Sequence, residues 1–325
     1  MRIFFFLIIN IFLNFYFIIY ILLCMKDLIK LVILPIYNEM DDLINPLYFN
    51  LNNQILDLTW LNENLIKLDH KYNFTDISIE GYDIFQLSDI YFDILFKLLK
   101  TYSKKIIVNT DFSKYKKALI NGADIINVNY NFNLEIEKSK TVQNNIKAAS
   151  ASGKIININS LDISVKDNKL DIISTLNKME IKAWKILPYY KTKYSILESN
   201  TIEDYENILQ EYLKLNKLMQ FSFINKLELE NIITNKNFPI KTVYITPNNK
   251  FGLGKFDDKN RFFIEEYEDI DSLEKNLENQ QNEQILICKD CKYKTNCLAD
   301  RYFNPTNKTK HCDGLKNLII SNKGK

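Results

Sequence analysis

The sequence predicts an α/β fold: a parallel (β/α) barrel or partial barrel, followed by a small C-terminal region with a β-hairpin, a helix and clustered cysteines. Two observations support this prediction. Between residues 30 and 225, short runs rich in Ile and Val alternate with longer segments of helical period, which is the pattern of parallel strands covered on both faces. Beyond that point, turns rich in Asn and Gly and then four cysteines replace the alternation.

Six segments are predicted as strands because they are nearly continuous apolar runs of Ile and Val. In a chain where such runs alternate with helices, the strands are expected to lie parallel in one barrel-like sheet. The predicted strands are KLVILPIY (30–37), DISIEG (76–81), KIIVNTD (105–111), DIINVNYN (124–131), KIININSLDI (154–163) and KAWKILPYY (182–190).

Helices are predicted between the strands, where apolar residues recur at helical spacing and capping residues stand at the ends. These helices are 88–103 with Ser88 as N-cap, 112–122 with Ser113 as N-cap and Gly122 as its end, and 141–153, which ends at Gly153. The first of them has a predicted buried stripe of Ile90, Phe92, Ile94, Leu95, Leu98 and Leu99.

The C-terminal ends of the predicted strands are unusually polar. In a parallel barrel this is the end at which ligands bind, so the recurrence of polar residues there favours a binding crevice. The alternative is that Asn is abundant in this chain and simply caps strand ends. The residues selected for the crevice are Glu80, Asp83, Asn109, Asn131, Asn159 and Lys185, within the polar stretches 109–111, 129–131 and 157–160.

Composition excludes several classes of function. With 42 basic and 40 acidic residues, the net charge is +2, which gives no electrostatic footprint for nucleic acid. Only seven glycines are present, and no cluster of them could cradle phosphate in a P-loop or Rossmann motif. The two histidines leave few candidates for histidine-based catalysis.

The first 24 residues form a hydrophobic segment that stands apart from the predicted fold. Residues 3–23 are apolar except for two Asn and two Tyr, and at about 1.5 Å per residue they could span a bilayer core. One interpretation is therefore a single membrane anchor, with the barrel on the cytoplasmic side. The other is a mis-annotated start in AT-rich DNA, with the natural chain beginning at Met25 in the cytoplasm.

Four of the five cysteines lie together near the end of the chain, after a predicted hairpin (241–268) and a predicted short helix (269–280) capped by Asp269 or Asp271. Their spacing is C-x2-C-x5-C-x14-C. Disulfides would need an oxidising compartment, and zinc sites more often pair two short knuckles. Uneven spacing favours an iron–sulfur cluster, with zinc as the alternative. The predicted ligands are Cys288, Cys291, Cys297 and Cys312.

This hairpin, helix and cysteine segment resembles the auxiliary-cluster region, of the SPASM or twitch type, of radical SAM proteins, through CKDCKYKTNC and HCDGLKNLI. The stretch ISIEGYDIF (77–85) looks like that family's Gly-Gly-Glu/Asp-Pro motif. The resemblance covers roughly residues 29–320 and implies a partial (β/α)6 barrel. It also implies a [4Fe–4S] auxiliary cluster and a peptide or protein partner. The domains are then 1–24, 25–225 for the barrel, and 226–325 for the cysteine region.

Two departures from the family pattern concern the reactive site. The family places C-x3-C-x2-C after the first strand, where three thiolates hold the cluster that binds and cleaves S-adenosylmethionine. Here those positions fall on Glu39, Leu43 and Pro46, and no cysteine occurs between Cys24 and Cys288. In the second motif, Tyr82 and Ile84 replace a Gly and the Pro. The sequence therefore predicts a degenerate, non-catalytic relative that does not use S-adenosylmethionine. The alternatives are an active or redox enzyme and a zinc-stabilised scaffold.

Overall fold

The computed structural model describes most of the barrel and part of the C-terminal region. The described residues are 27–36, 55–81, 84–189, 202–233, 241–256 and 262–287, with 318, 319 and 322. The predicted hydrophobic segment 1–24, the positions 39, 43 and 46, residues 82 and 83, and all four clustered cysteines lie outside them. Among the helices that are described, none combines the length and apolar character needed to cross a bilayer.

Within the described residues, ten strands form one sheet in the order β10-β9-β8-β1-β2-β3-β4-β5-β6-β7. The strands from β8 through β1 to β7 are parallel, and β9 is antiparallel to both of its neighbours, β8 and β10. The strands are β1 Asp27–Ile33, β2 Tyr72–Glu80, β3 Ile106–Thr110, β4 Ile125–Asn129, β5 Ile155–Leu161, β6 Ala183–Leu187, β7 Ser222–Phe223, β8 Lys241–Thr246, β9 Lys250–Phe256 and β10 Phe262–Tyr267.

Helices connect the parallel strands, as expected of a (β/α) barrel that does not close. The connecting helices are α1 Leu58–Lys71, α2 Asp89–Leu99, α3 Lys117–Gly122, α4 Ile136–Ala151, α5 Lys169–Asn177, α6 Ile202–Leu215 and α7 Ile224–Ile233, and α8 Ile270–Ile287 follows β10. Short 3-10 turns lie at Ile84–Gln86, Asp162–Ser164 and Asn216–Leu218. The six predicted strands are present as β1–β6, and the α/β partial-barrel fold predicted from the sequence is confirmed.

Helix α2 illustrates how the local sequence determines an element and where the pattern misled. The Ser88 hydroxyl caps it by accepting a hydrogen bond from the Tyr91 N–H at 3.1 Å, as predicted. The buried face is Phe92, Leu95, Phe96 and Leu99. The prediction was wrong for Ile90 and Ile94, which are 71% and 51% exposed. The buried side chains at positions 92, 95, 96 and 99 form one stripe along the helix, and Ile90 and Ile94 lie outside that stripe.

The helix predicted from Ser113 begins later than expected. Helix α3 starts at Lys117, and Ser113 lies in a turn instead, where its N–H donates to Asp111 Oδ1 at 3.2 Å. The helix ends at Gly122 as predicted, and packing against α2 requires a glycine at this position. A Cβ added there would lie 2.0 Å from the Phe96 ring, so only glycine lets α3 pack this closely on α2.

The described part of the predicted 226–325 region continues the barrel sheet. Strand β8 pairs in parallel with β1, and the predicted hairpin is a three-stranded antiparallel unit, β8 to β10. Helix α8 begins with Asp269 as its cap, since Asp269 Oδ1 accepts from the Ser272 N–H at 2.7 Å. Lys71 of α1 binds Glu274 of α8 at 2.7 Å, which links this unit to the barrel helices. The predicted boundary at 225/226 falls within α7, and the division into domains stays a prediction.

Candidate binding face on the inner side of the barrel

The two sides of the parallel sheet have different chemistry. Successive side chains of a strand point to opposite sides. On β2, Ile77 and Ile79 are fully buried and belong to the core cluster formed with the helices. Ser78 and Glu80 therefore lie on the other side, which we call the inner face. The same alternation on β3, β4 and β5 places Asn residues on the inner face and Ile or Val against the helices.

The register of the strands arranges the inner face in layers. Near the start of the strands is an apolar layer interrupted by Ser78, formed by Val32, Ser78, Ile107, Ile125 and Ile155. Two polar rows follow towards the C-terminal ends. The lower row is Glu80, Asn109, Asn127 and Asn157. The upper row is Asn129, Asn159 and Lys185.

The lower row is held by hydrogen bonds between side chains on neighbouring strands. Asn157 Nδ2 donates to Asn127 Oδ1 at 3.0 Å, and Asn127 Nδ2 donates to Asn109 Oδ1 at 2.7 Å. Asn109 Nδ2 in turn donates to Glu80 Oε1. Asn127 and Asn157 are half-buried, so the row retains access from the inner face. An amide carries two N–H donors and two acceptor positions, so Asn127 and Asn157 can still bond a ligand, whereas Asn109 is buried.

The upper row combines an amide pair with a buried ion pair. Asn159 Nδ2 donates to Asn129 Oδ1 at 3.4 Å, and Lys185 is the direct cross-strand neighbour of Asn159. The Lys185 ammonium bonds Glu228 of α7, and the two side chains are only 8% and 20% exposed. Attraction between opposite charges is strong where water is largely excluded.

Asn225 determines where Glu228 lies. Strand β7 pairs with β6 over only two residues, and the Asn225 side chain then takes over the pairing. Its Oδ1 accepts from the Ile186 N–H at 2.8 Å, and its Nδ2 donates to the Ile186 carbonyl at 2.9 Å. This holds the first turn of α7 beside the end of β6. Glu228, three residues further along the helix, then meets Lys185.

The described residues that follow β2 are held in place by packing at Gly81 and by the Lys116 ammonium. Gly81 has φ +154°, and a Cβ there would lie 2.8 Å from Ile84 Cγ2, so its glycine is required by packing. The Lys116 ammonium donates to the carbonyls of Phe85 and Leu87 and lies 3.4 Å from Asp89. These contacts hold the turn against the start of α2.

The structure brings four of the six selected residues onto the inner face: Glu80, Asn109, Asn159 and Lys185. Asn131 is not among them, because its Oδ1 accepts from the Asn133 N–H at 2.9 Å in the loop after β4. Asp83 lies outside the described residues. Sequence reasoning did not select Asn127 or Glu228. The period-two repeat of Asn127 and Asn129 could have indicated the first, whereas nothing local pairs Glu228 with Lys185.

Ser78 adds a second kind of polar group to the inner face. Its side chain is fully buried, and among the described residues its hydroxyl has no hydrogen-bond partner. Among the same residues, no group of three His, Cys, Asp or Glu side chains is placed to hold a metal. The accessible part of the inner face, as far as it is described, is thus formed by amides, with an ion pair at one end, which suits binding by hydrogen bonds.

No family model matches the sequence, and no curated protein matches it significantly. Solved structures do match. The structure of anSMEcpe with bound AdoMet has a TM-score of 0.63 and 12% identity, covering 90% of this chain and 95% of that chain. The structure of SuiB from Streptococcus suis has a TM-score of 0.50 and 16% identity, covering 70% of this chain.

Both neighbours are radical SAM enzymes, and anSMEcpe is of the SPASM type. Each also matches in a peptide-bound form: SuiB with its precursor peptide SuiA, and anSMEcpe with AdoMet and the Cp18Cys peptide. The chain spans 60% of the length of SuiB. It therefore has the fold of radical SAM enzymes, which confirms the resemblance predicted from the sequence.

The buried ion pair gives a testable consequence. Glu228→Gln leaves the Lys185 charge buried without its carboxylate, so we expect a loss of about 3 kcal/mol in the free energy of unfolding, measured with urea. Lys185→Met combined with Glu228→Leu removes both charges and should recover most of that loss. The exposed pair of Glu135 and Lys138 is the control, since Glu135→Gln should cost less than about 1 kcal/mol. Equal effects of the two Gln substitutions would contradict this account.

Proposed function

We propose that this chain is a non-catalytic protein of the radical SAM fold, which binds a peptide on its inner face. It carries an iron–sulfur cluster on its four C-terminal cysteines. The observation that carries the proposal is the absence of cysteine between Cys24 and Cys288. The barrel thereby keeps the fold without the thiolates that its family's reaction requires.

The missing thiolates exclude the family's reaction on chemical grounds. Reductive cleavage of S-adenosylmethionine needs an iron held by three protein ligands, usually thiolates, with one position open to the cofactor. Glu39, Leu43 and Pro46 do not supply that set, because Leu and Pro have no ligating group in their side chains. The residues present therefore do not fit the reactive cluster.

The inner face supports peptide binding because its side chains carry the same groups as a peptide backbone. An Asn amide offers N–H donors and a carbonyl acceptor in one plane, so a row of them can pair with successive peptide groups. In the apolar layer beneath the rows, Ile125 and Ile155 are accessible and could contact an apolar side chain of the peptide. The peptide complexes of SuiB and anSMEcpe support this choice of ligand by analogy of fold. An intact radical SAM relative presenting such a peptide is the alternative partner.

The cysteine segment supports a resident cluster. Three thiols within ten residues and a fourth nearby form a donor set suited to iron–sulfur, with zinc as the alternative. Such a cluster would stabilise the C-terminal region, because metal binding is coupled to folding. Thiols that must stay reduced favour the cytoplasm as the location of this region.

Peptide binding is tested by panning a phage-displayed library of random dodecapeptides against the protein and measuring the affinity of the enriched peptide by calorimetry. Asn127→Leu removes the centre of the lower row and should weaken binding at least about tenfold, which corresponds to about 1.4 kcal/mol. Asn121→Leu makes the same change at an exposed position on α3 and should alter the affinity less than twofold. Thermal melting checks that both variants fold. Enrichment of no peptide, or equal effects of the two variants, would refute the inner face as the binding site.

The second test concerns S-adenosylmethionine. Protein reconstituted with iron and sulfide under anaerobic conditions and strongly reduced should yield no 5′-deoxyadenosine, since the reactive iron cannot be assembled. Calorimetry should show no binding of the cofactor at millimolar concentration. The control is the same protein without its cluster. Product above that control would show an enzyme and overturn the non-catalytic assignment.

The third test concerns the cluster itself. Protein prepared anaerobically should be brown and contain about four irons per chain if the cluster is of the cubane type. Cys291→Ser should lower the iron content and the melting temperature, whereas Cys24→Ser, outside the predicted ligand set, should leave both unchanged. Stoichiometric zinc without iron would replace this assignment by the zinc-stabilised scaffold.

A further inference from the structure

We infer that Glu80 is a positioning residue: it determines the direction in which the inner-face amides are oriented, and hence which atoms they present to a ligand. The binding part of this inference rests on the proposed function. The structural part concerns the protein alone and can be tested without a ligand.

The evidence is the common direction of the hydrogen bonds in the lower row. At each step, from Asn157 to Asn127, from Asn127 to Asn109, and from Asn109 to Glu80, the donor lies on the later strand and the acceptor on the earlier one. The bond from Asn159 to Asn129 in the upper row has the same direction. The row therefore has a polarity, and it ends at a carboxylate.

A row of amides by itself has no preferred polarity. Each Asn carries a donor and an acceptor of nearly the same size, so rotating every amide by half a turn gives a second row with as many hydrogen bonds. An ionised carboxylate can only accept. Glu80 on β2 therefore stabilises the arrangement in which Asn109 donates an N–H to it. Asn127 must then donate to Asn109, and Asn157 to Asn127.

The backbone makes this coupling strict. Glu80 pairs with Asn109, Asn109 with Asn127, and Asn127 with Asn157 as direct cross-strand partners. Neighbouring strands lie about 4.8 Å apart, which is the reach of one Asn side chain bonded to the next. If one amide were rotated by half a turn, its NH2 group would face another NH2 group, or its oxygen another oxygen, at that distance.

The orientation has a consequence for binding. Within the row, Asn109 and Asn127 each use one N–H and one acceptor position, and Asn157 uses one N–H. The donors and acceptors that remain on these amides are therefore arranged in one direction along the inner face. A peptide that pairs with them in one direction would meet mismatched groups in the other. Glu80 would thus select the direction in which a peptide lies across the strands, without needing to contact the peptide.

The test moves the carboxylate from one end of the row to the other. Asn157→Asp alone puts acceptor-only groups at both ends, so at least one of the three contacts along the row must bring two oxygens together. Adding Glu80→Gln removes the conflict, because the new amide at position 80 can donate to Asn109 and the row can run towards position 157. The double variant keeps the net charge of the natural chain.

We expect Asn157→Asp to lower the melting temperature by about 4 °C, and the addition of Glu80→Gln to restore at least about half of that loss. Glu80→Gln alone should lower it less than Asn157→Asp does. The matched control combines Glu80→Gln with Asn121→Asp, an exposed site whose effect should add without coupling. Additive effects of Glu80→Gln and Asn157→Asp would overturn the positioning role.

Binding provides the second measurement, with the dodecapeptide enriched against the natural chain as the probe. The double variant, with its melting temperature recovered, should bind that peptide at least about tenfold more weakly because its amides point the other way. Unchanged affinity would overturn the selection of peptide direction by Glu80. If the natural chain enriches no peptide, the proposed function fails, whereas recovery of the melting temperature still decides the role of Glu80 in the row.

Discussion

Cross-strand register is the constraint on which the inner face depends. Strands β2 to β5 pair so that Glu80, Asn109, Asn127 and Asn157 are direct neighbours, while the Ile and Val residues between them meet the helices. A slip of one residue in any strand would exchange these two sets. It would bury an amide among apolar helix residues and leave its neighbours without partners, and both changes are costly. The hydrophobic side of the sheet thus maintains the polar rows on the other side.

The packing that supports the barrel can persist without the reactive cluster of its fold relatives. Behind β6, the Trp184 ring packs against Tyr212 and Phe223, and its indole N–H donates to Ser160 Oγ at 3.1 Å. These contacts are made between protein side chains. Fold and chemistry are separable in this way because a core stabilises the backbone, whereas reactivity depends on a few ligating side chains. A chain can therefore lose those ligands and retain a shaped binding surface.

The described elements that bracket the cysteine segment are attached to the barrel. Helix α8 ends at Ile287, immediately before Cys288, and is linked to α1 through Lys71 and Glu274. On the other side, the buried residues Leu318 and Ile319 belong to the main core cluster, and the Leu318 N–H donates to Glu206 of α6 at 3.2 Å. Loading of the proposed cluster would therefore act on elements that pack against the barrel, which links its assembly to overall stability.

The sequence by itself determined the α/β class, the six strands β1–β6 and the cap at Ser88, because these depend on periodicity and on local hydrogen bonds. It left Asp269 and Asp271 as alternative caps of α8, and the structure selects Asp269. The sequence also shows that no cysteine lies between Cys24 and Cys288. Only the tertiary structure decided which polar residues meet. Asn131 closes a local loop, Asn127 joins the row, and Glu228 reaches Lys185 from a helix 43 residues away in the chain. Such contacts depend on strand register and on how α7 is held by Asn225, and neither is encoded in the spacing of neighbouring residues.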